Sequence, residues 1–110
     1  MAAELGARPV ERPDAADLLV NTTSVGLDPG TSEDEALVQL ALDGAEPPRL
    51  VVDLVYGPAS TPLIRWAERG GARVVDGLEH LVRQGARSLE SWTGRPAPLQ
   101  AMRAAARAPV

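Results

Sequence analysis

Short apolar runs alternate with segments of helical periodicity along most of the chain. The runs are rich in Leu and Val, as strands are, and the later ones are each followed by apolar residues at helical spacing. Regular alternation of this kind predicts an α/β fold with a parallel, doubly wound sheet and flanking helices. The predicted strands are residues 8–11, 17–21, 50–56 and 73–75. The run at 17–21 is apolar enough to be buried on both faces, as parallel strands are.

Capping residues mark where the helices begin and end. Ser32 followed by Glu35 has the spacing of a capping box, and an apolar stripe then continues up to Gly44. Thr61 has the character of an N-cap, with proline at the first helical position after it. Further helical segments are predicted before Gly6, up to Gly70, over about 78–92 and over 99–107. The long helix is expected to bury Leu78, Leu81, Val82, Leu89 and Trp92 on one face.

Composition narrows the class of protein. The chain has 110 residues, of which 45% are apolar and 24% charged, as in one small soluble globular domain. A formal charge of −4 argues against general nucleic-acid binding. No apolar run approaches the roughly 18 residues of a membrane span, and residues 1–5 lack the features of a secretory signal. We therefore expect a cytoplasmic protein without a nucleic-acid or membrane partner.

Some kinds of chemistry are excluded by the residues that are missing. The chain contains no cysteine and a single histidine, His80, so disulfides, Cys-ligated metals and a His-rich metal site are not expected. All 11 basic residues are arginine. Because there is no lysine, these residues can supply neither a lysine general acid nor a Schiff base.

A hydroxyl-rich loop follows the strand predicted at 17–21. It reads NTTSVG over residues 21–26, and Gly26 allows a close approach of backbone. Ligands of open α/β sheets bind beyond the carboxyl ends of the strands, where such a loop offers donors and acceptors on short side chains. An ordinary turn has the same composition, so the loop by itself leaves both interpretations open.

Further motifs follow in register with this loop. DLLVNTTSVG at 17–26 is followed by VDLVYGP at 52–58, by DGL at 76–78 and by LVRQGA at 81–86, with TPL at 61–63 and WTG at 92–94 between and after them. Together they resemble the C-terminal part of shikimate dehydrogenase, the enzyme that reduces 3-dehydroshikimate with NADPH. The resemblance runs over about residues 1–107.

The resemblance implies a fold and a domain organisation. The family has an N-terminal substrate domain, then a Rossmann-like NADP domain and final helices. The chain is similar to the C-terminal portion of the NADP domain, with sheet, cleft loops and helices over 3–96 and a C-terminal helix over 97–110. The glycine-rich phosphate loop, the Asn-Arg-Thr strand end that holds the 2′-phosphate, and the substrate domain with its catalytic Lys and Asp are not among these residues. We therefore expect no catalytic residue in the 110 residues and no activity of the chain alone.

The resemblance also implies site residues. The loop residues Thr23, Ser24 and Val25 match those that run along the dinucleotide near its nicotinamide half. Leu54 and Gly77 match positions that contact the nicotinamide. Tyr56 and Gln84 match the side chains that contact shikimate or 3-dehydroshikimate.

Other polar residues at strand ends are interpreted as structural. Asn21 is expected to brace the loop, and Asp53 and Asp76 to accept backbone hydrogen bonds rather than to act as acids or bases. His80 stands where the family usually has methionine beside the nicotinamide.

Two alternative functions remain open beside the resemblance to an NADPH-dependent enzyme, and one structural hypothesis is added. The first alternative is a quinate/shikimate dehydrogenase with a preference for NAD, and the second is a non-catalytic remnant that acts as a structural or binding module. Without the preceding strands of a Rossmann sheet, residues 18–21 would form an exposed apolar edge. Either disorder before about residue 15 or self-association through that edge is then expected.

Overall fold

Three parallel strands and four α-helices make up the computed structural model, which describes residues 1–57 and 59–109. The order along the chain is β1 (Leu18–Asn21), α1 (Glu33–Gln39), β2 (Leu50–Asp53), α2 (Pro62–Arg69), β3 (Arg73–Val75), α3 (Gly77–Thr93) and α4 (Leu99–Arg107). The sheet order is β1-β2-β3, with Asn21 opposite Asp53 and Val52 opposite Val75. The predicted α/β class with a parallel sheet is confirmed.

The hydrophobic core lies on one face of the sheet, under α1 and α2. Its buried members come from β2, α2 and the end of the α1 segment, and Leu63, Val51 and Ala67 are almost completely enclosed. Leu19 and Val74 add to this core from the outer strands. The core therefore sits beneath the strands whose carboxyl ends carry the polar loops.

The caps of α1 and α2 follow the sequence closely. Ser32 accepts from the backbone N–H of Glu35, whose side chain returns to the Ser32 N–H, so the predicted capping box is present. Thr61 accepts from the N–H of Ile64, with Pro62 at the first helical position. These local hydrogen bonds satisfy amides that the helix itself leaves without partners.

Two predicted boundaries are wrong for local reasons. The helix α1 does not continue toward Gly44, because Ala41 adopts a φ of 56° and the N–H of Leu42 donates to Leu37 O at 2.7 Å, which closes the helix early. The strand β2 ends at Asp53 rather than at Tyr56. There, Asp53 Oδ1 accepts from the N–H of Val55 and bends the chain out of the ladder. Pro58, two residues after the predicted end of this strand, lies outside the described residues.

The strand predicted at residues 8–11 is also wrong. This segment pairs with no strand among the described residues, and Pro9 lacks the N–H that a ladder needs. The segment is exposed, and Arg12 next to it donates to the side chain and the carbonyl oxygen of Asp43. The chain is thus attached to the connection after α1 rather than to the sheet. The turn before Gly6 is a short 3-10 helix, with Gly6 at a φ of 70°.

Burial of β1 and of α3 differs from expectation. β1 is an edge strand, and Leu18 and Val20 are 48% and 42% exposed, so the strand is not buried on both faces but is the exposed apolar edge of the structural hypothesis. In α3 the expected inner face is only partly enclosed: Val82 is buried, whereas Trp92 is 80% exposed. The reason is that α3 runs beyond the sheet and is covered chiefly by α4.

Candidate functional site

The carboxyl ends of the three strands lie side by side at one edge of the sheet. The loop at 22–26 follows β1, residues 54–57 follow β2, and Asp76 links β3 to α3. This edge is where open α/β sheets bind ligands. The parallel register therefore brings together the loops that the sequence identified separately.

Asn21 organises the loop after β1. Its Nδ2 donates to the carbonyl oxygen of Val25 and to Asp53 Oδ1, both at 3.1 Å. Its Oδ1 accepts from the N–H of Thr23 at 3.0 Å and from Thr23 Oγ1 at 2.6 Å. Only 3% of Asn21 is exposed, so these bonds fix the loop from below. Asn21 thus braces the loop, as expected.

Asp53 ties the first two strand ends to the start of α2. Its side chain is fully buried, and Oδ2 accepts from Thr61 Oγ1 at 2.6 Å. Its Oδ1 accepts from Asn21 and from the N–H of Val55. The predicted backbone hydrogen bond to Asp53 is therefore present, and the carboxylate's other partners are the side chains of Asn21 and Thr61.

Gly77 brings the start of α3 against the segment that follows β2. A Cβ at this position would lie 2.5 Å from the carbonyl oxygen of Val55 and 2.8 Å from that of Leu54. Backbone thus meets backbone here, and no side chain larger than hydrogen fits. Asp76, one residue earlier, caps α3 by accepting from the N–H of Glu79 at 2.8 Å.

An open depression of about 380 Å³ lies between the first two loops. Its lining combines hydroxyls with apolar and aromatic groups, and it consists of Thr23, Ser24, Leu27, Leu54, Val55 and Tyr56. Four of the predicted site residues are thereby brought together. The backbone N–H of Val25 donates to Thr23 Oγ1 at 3.1 Å, so this predicted residue supports the lining from behind.

Sequence reasoning missed Leu27 and Val55 as lining residues. Leu27 directly follows the loop glycine, and an apolar residue at this position could have been predicted from the sequence to line the site. In the structure it is 65% exposed. Gly26 itself adopts a φ of 96°, a conformation that favours glycine, and it lies beside Pro62. Val55 had no distinguishing signal, because a valine after an apolar strand is also an ordinary core residue.

Gln84 lies apart from the depression. It is exposed on α3, seven residues after Gly77, which is about two turns along the same face of the helix. His80, in the first turns of α3, is exposed as well. The structure therefore gathers Thr23, Ser24, Leu54 and Tyr56, and it leaves Gln84 at a distance along α3.

Charged residues cluster where α3 begins. Hydrogen bonds from Arg103 lower the pKa of Glu79 most, and with Arg83 they hold this pKa at about 2. Burial raises the pKa of Asp76, but hydrogen bonds from Arg107 and from the N–H of Glu79 outweigh burial and leave the pKa below its ordinary value. Both carboxylates are therefore ionised at neutral pH.

Two kinds of feature are not found in the described part of the chain. Within residues 1–57 and 59–109, no group of three or more His, Asp or Glu side chains is placed to hold a metal ion. None of the helices in the same residues has both the length and the apolar character needed to cross a membrane.

Comparison with known proteins relates the chain to one family. A family model described as the shikimate 5'-dehydrogenase C-terminal domain matches residues 77–107. Shikimate dehydrogenase (NADP(+)) of Microcystis aeruginosa is 42% identical over 89 residues, 81% of this chain and 31% of its own length. That of Halorubrum lacusprofundi is 44% identical over 98 residues, 89% of this chain and 34% of its own length. The chain belongs to the shikimate dehydrogenase family.

Solved structures of shikimate dehydrogenases agree in fold. The crystal structure of the Thermus thermophilus enzyme in complex with NADP(H) and shikimate is 39% identical, has a TM-score of 0.79, and matches 96% of this chain and 40% of its own. The Listeria monocytogenes enzyme in complex with shikimate and NAD is 31% identical with a TM-score of 0.62, over 79% of this chain and 29% of its own. The chain spans about a third of the length of the curated relatives it matches, and it is similar to their C-terminal part.

Proposed function

We propose that these residues form the nicotinamide side of an NADPH-binding cleft in a shikimate dehydrogenase, which reduces 3-dehydroshikimate to shikimate. The observation that carries the proposal is the depression at the carboxyl edge of the sheet, where the hydroxyl-rich loop faces Leu54 and Tyr56. Membership of the family and the relatives' names, shikimate dehydrogenase (NADP(+)), support the choice of cofactor and substrate.

The lining fits one half of a dinucleotide chemically. The Ser24 hydroxyl offers a donor and acceptors to a ribose or an amide, and Leu54 offers an apolar surface to an aromatic ring. Thr23 Oγ1, whose proton is donated to Asn21 Oδ1, offers an acceptor. The N–H of Val25 donates to Thr23 Oγ1 and so fixes that side chain. Gly77, which has no side chain, brings the backbone at the start of α3 beside the carbonyl oxygen of Leu54. We assign cofactor contacts to these five residues. Bound NADPH supplies the hydride.

Tyr56 and Gln84 are proposed as the substrate contacts. Tyr56 is 51% exposed beside Leu54, so its hydroxyl is free to reach a carboxylate next to the nicotinamide. Gln84 shares a helical face with Gly77, and its amide both donates and accepts, as recognition of neighbouring hydroxyls requires. The proton that accompanies the hydride must come from elsewhere, since these 110 residues contain no lysine and their strand-end carboxylates are engaged in structure.

Binding of NADPH to the 110-residue chain tests the cofactor assignment. We expect saturation-transfer NMR to detect contact with the nicotinamide half, and Thr23→Val to weaken it. Thr22→Val is the matched control, because Thr22 belongs to the same loop but does not line the depression. Equal effects of both variants, or contact through the adenine half alone, would contradict the assignment.

An activity assay tests what the chain needs in addition. With NADPH and 3-dehydroshikimate, we expect no fall in NADPH absorbance when the 110-residue chain is the only protein. Turnover under these conditions would show that the proton donor lies within these residues. Because the proposed contacts all lie on the nicotinamide half, which NADH and NADPH share, we expect NADH to give the same saturation-transfer contacts as NADPH.

The edge of the sheet is proposed to mediate self-association. β1 has one neighbouring strand, and Leu18 and Val20 are about half exposed along it. Unpaired strand edges of this kind pair readily with another chain. The Arg12–Asp43 contacts give residues before 15 a defined path and thus favour self-association over disorder there. Sedimentation tests it: dimers that dissociate on Val20→Lys support edge pairing, and a monomer at all concentrations opposes it.

A further inference from the structure

Two ion pairs attach the C-terminal helix to the start of α3. Arg103 donates from Nε and Nη2 to the two carboxylate oxygens of Glu79, at 2.8 and 2.7 Å. One turn later, Nη2 of Arg107 donates to both oxygens of Asp76, at 2.9 and 3.1 Å. The Arg103–Glu79 contact is bidentate and fixes orientation as well as distance, whereas Arg107 reaches both oxygens of Asp76 from one nitrogen. The two ion pairs therefore set where α4 lies along α3.

Both carboxylates also belong to the first turn of α3. Asp76 caps the helix through the N–H of Glu79, and Glu79 accepts from Arg83 Nε at 2.8 Å on the same helix. The side chains of Glu79 and Arg103 are 17% and 26% exposed, so water screens this pair less than a pair in open solvent. A displacement of Arg103 or Arg107 is therefore transmitted to the helix start.

The start of α3 in turn touches the candidate cleft. Gly77 packs its backbone against the carbonyl oxygens of Leu54 and Val55, which line the depression. A contact between two backbones has no side chain that can adjust by changing rotamer. A shift of Gly77 must therefore move residues 54 and 55 as well.

The contact of Met102 with α3 lies farther from the cleft than the two ion pairs do. None of the described residues in α4 is buried. Met102 approaches α3 at Gly85, where its Cε would lie 3.4 Å from an added Cβ. This contact is about two turns away from Gly77. The ion pairs are thus the contacts that join α4 to the end of α3 nearest the cleft.

We propose that Arg103 and Arg107 are positioning residues, which hold Gly77 against the carbonyls of Leu54 and Val55 through Glu79 and Asp76, so that the C-terminal helix sets the shape of the cleft. The coupling itself requires only the folded chain. Its consequence for cofactor binding rests on the proposed function.

Amide NMR of the 110-residue chain tests the coupling directly. For Arg103→Met and Arg107→Met we expect amide exchange over residues 79–83 to rise about tenfold and the resonances of Leu54 and Tyr56 to shift. Arg103→Lys keeps the charge but loses the bidentate geometry, and it should give an intermediate shift. Met102→Ala is the matched control, which loosens α4 without removing an arginine and should leave residues 54–56 unchanged.

The outcomes separate this inference from the proposed function. Changes confined to α4 and to α3 beyond Gly85, as in the control, would overturn the positioning role even if NADPH binds. Shifts at Leu54 and Tyr56 would support it even if NADPH does not bind. Circular dichroism identifies any variant that has unfolded. Arg107→Lys is then measured in place of that variant. We expect it to shift the resonances of Leu54 and Tyr56 in the same direction but by a smaller amount.

Discussion

The two parts of the molecule that border the candidate cleft are held together by different kinds of contact. On one side, the sheet with α1 and α2 encloses an apolar core, and its strand ends carry a buried network around Asn21 and Asp53. On the other side, α3 and α4 meet through arginine–carboxylate pairs, and α4 buries no described residue. The first part is stabilised by buried apolar packing and buried hydrogen bonds. In the second part α4 is attached to α3 by ion pairs, which salt and acid can weaken.

The largest expected effect lies in the core of the first part. Leu63 is 2% exposed in α2, and Leu63→Ala should lower the free energy of unfolding by about 2–5 kcal/mol through lost burial and a cavity. Urea denaturation followed by circular dichroism measures the change. Val38→Ala is the control in α1, where the side chain is 63% exposed and the change should be small. Similar losses in both variants would contradict the enclosure of Leu63 in the core of the first part.

The contact between the two parts is tested by two glycines of α3. Gly77→Ala places a Cβ 2.5 Å from the carbonyl oxygen of Val55 and should destabilise the chain by about 1–3 kcal/mol, because two backbones must separate. The control is Gly85→Ala, where the added Cβ meets only Met102 Cε at 3.4 Å, the end of a flexible side chain. There we expect little change or a gain in stability, since alanine favours helix more than glycine does.

Gly77→Ala also reports on the cleft. If the start of α3 supports residues 54 and 55, the resonances of Leu54 and Tyr56 should shift in Gly77→Ala and stay in place in Gly85→Ala. Unchanged resonances in both variants would show that the two parts are mechanically independent.

Features encoded by neighbouring residues were predictable from the sequence. The capping box from Ser32 to Glu35 and the Thr61 N-cap depend only on local spacing, and both are present. The bounds of the last helix, Leu99–Arg107, are confirmed as predicted. For the candidate site, the role of Asn21 followed from its place between a strand and a loop.

Features that depend on distant partners were not predictable. The strand predicted at 8–11 required a neighbour that the described residues do not provide, and the burial expected for Trp92 required a surface to cover it. The bond between Asp53 and Thr61 joins residues eight positions apart, and only the return of the chain into α2 brings them together. The substrate role of Gln84 stays a prediction, because the side chain lies outside the depression.

A smaller effect is expected at the junction of β2 and α2. Thr61 Oγ1 donates to Asp53 Oδ2 and accepts from the N–H of Ile64, so Thr61→Val removes a cap and a hydrogen bond to a buried carboxylate. The expected loss is about 1–2 kcal/mol in urea denaturation. Thr61→Ser keeps the hydroxyl and should retain most of the stability. If serine does no better than valine, the methyl group contributes at least as much as the hydroxyl.

The last expected effect lies in the second part and depends on pH. The pKa of Glu79 falls from its ordinary 4.5 to about 2 in the folded chain. Between these values the unfolded chain binds a proton that the folded chain does not, so stability declines as pH falls from about 4.5 toward 2. Above about pH 5 the group is ionised in both states and adds no slope. Thermal unfolding of the wild-type chain should therefore show a steeper loss over this acid range than Glu79→Gln does.

The site of this acid response distinguishes the two parts. Glu79 lies where α3 meets Arg103, so its protonation should first release α4 and leave the core under α1 and α2 intact. Amide exchange followed by mass spectrometry near pH 2, the pKa of Glu79 in the folded chain, should then show faster exchange over residues 99–107 than over β2 and α2. Arg83→Met is a useful comparison, since it removes the exposed partner of Glu79 within α3 and keeps the bond to α4. In Arg83→Met, acid should still accelerate amide exchange over residues 99–107 nearly as much as in the wild-type chain. In Arg103→Met, exchange over these residues should already be fast at neutral pH, so acid should accelerate it little further.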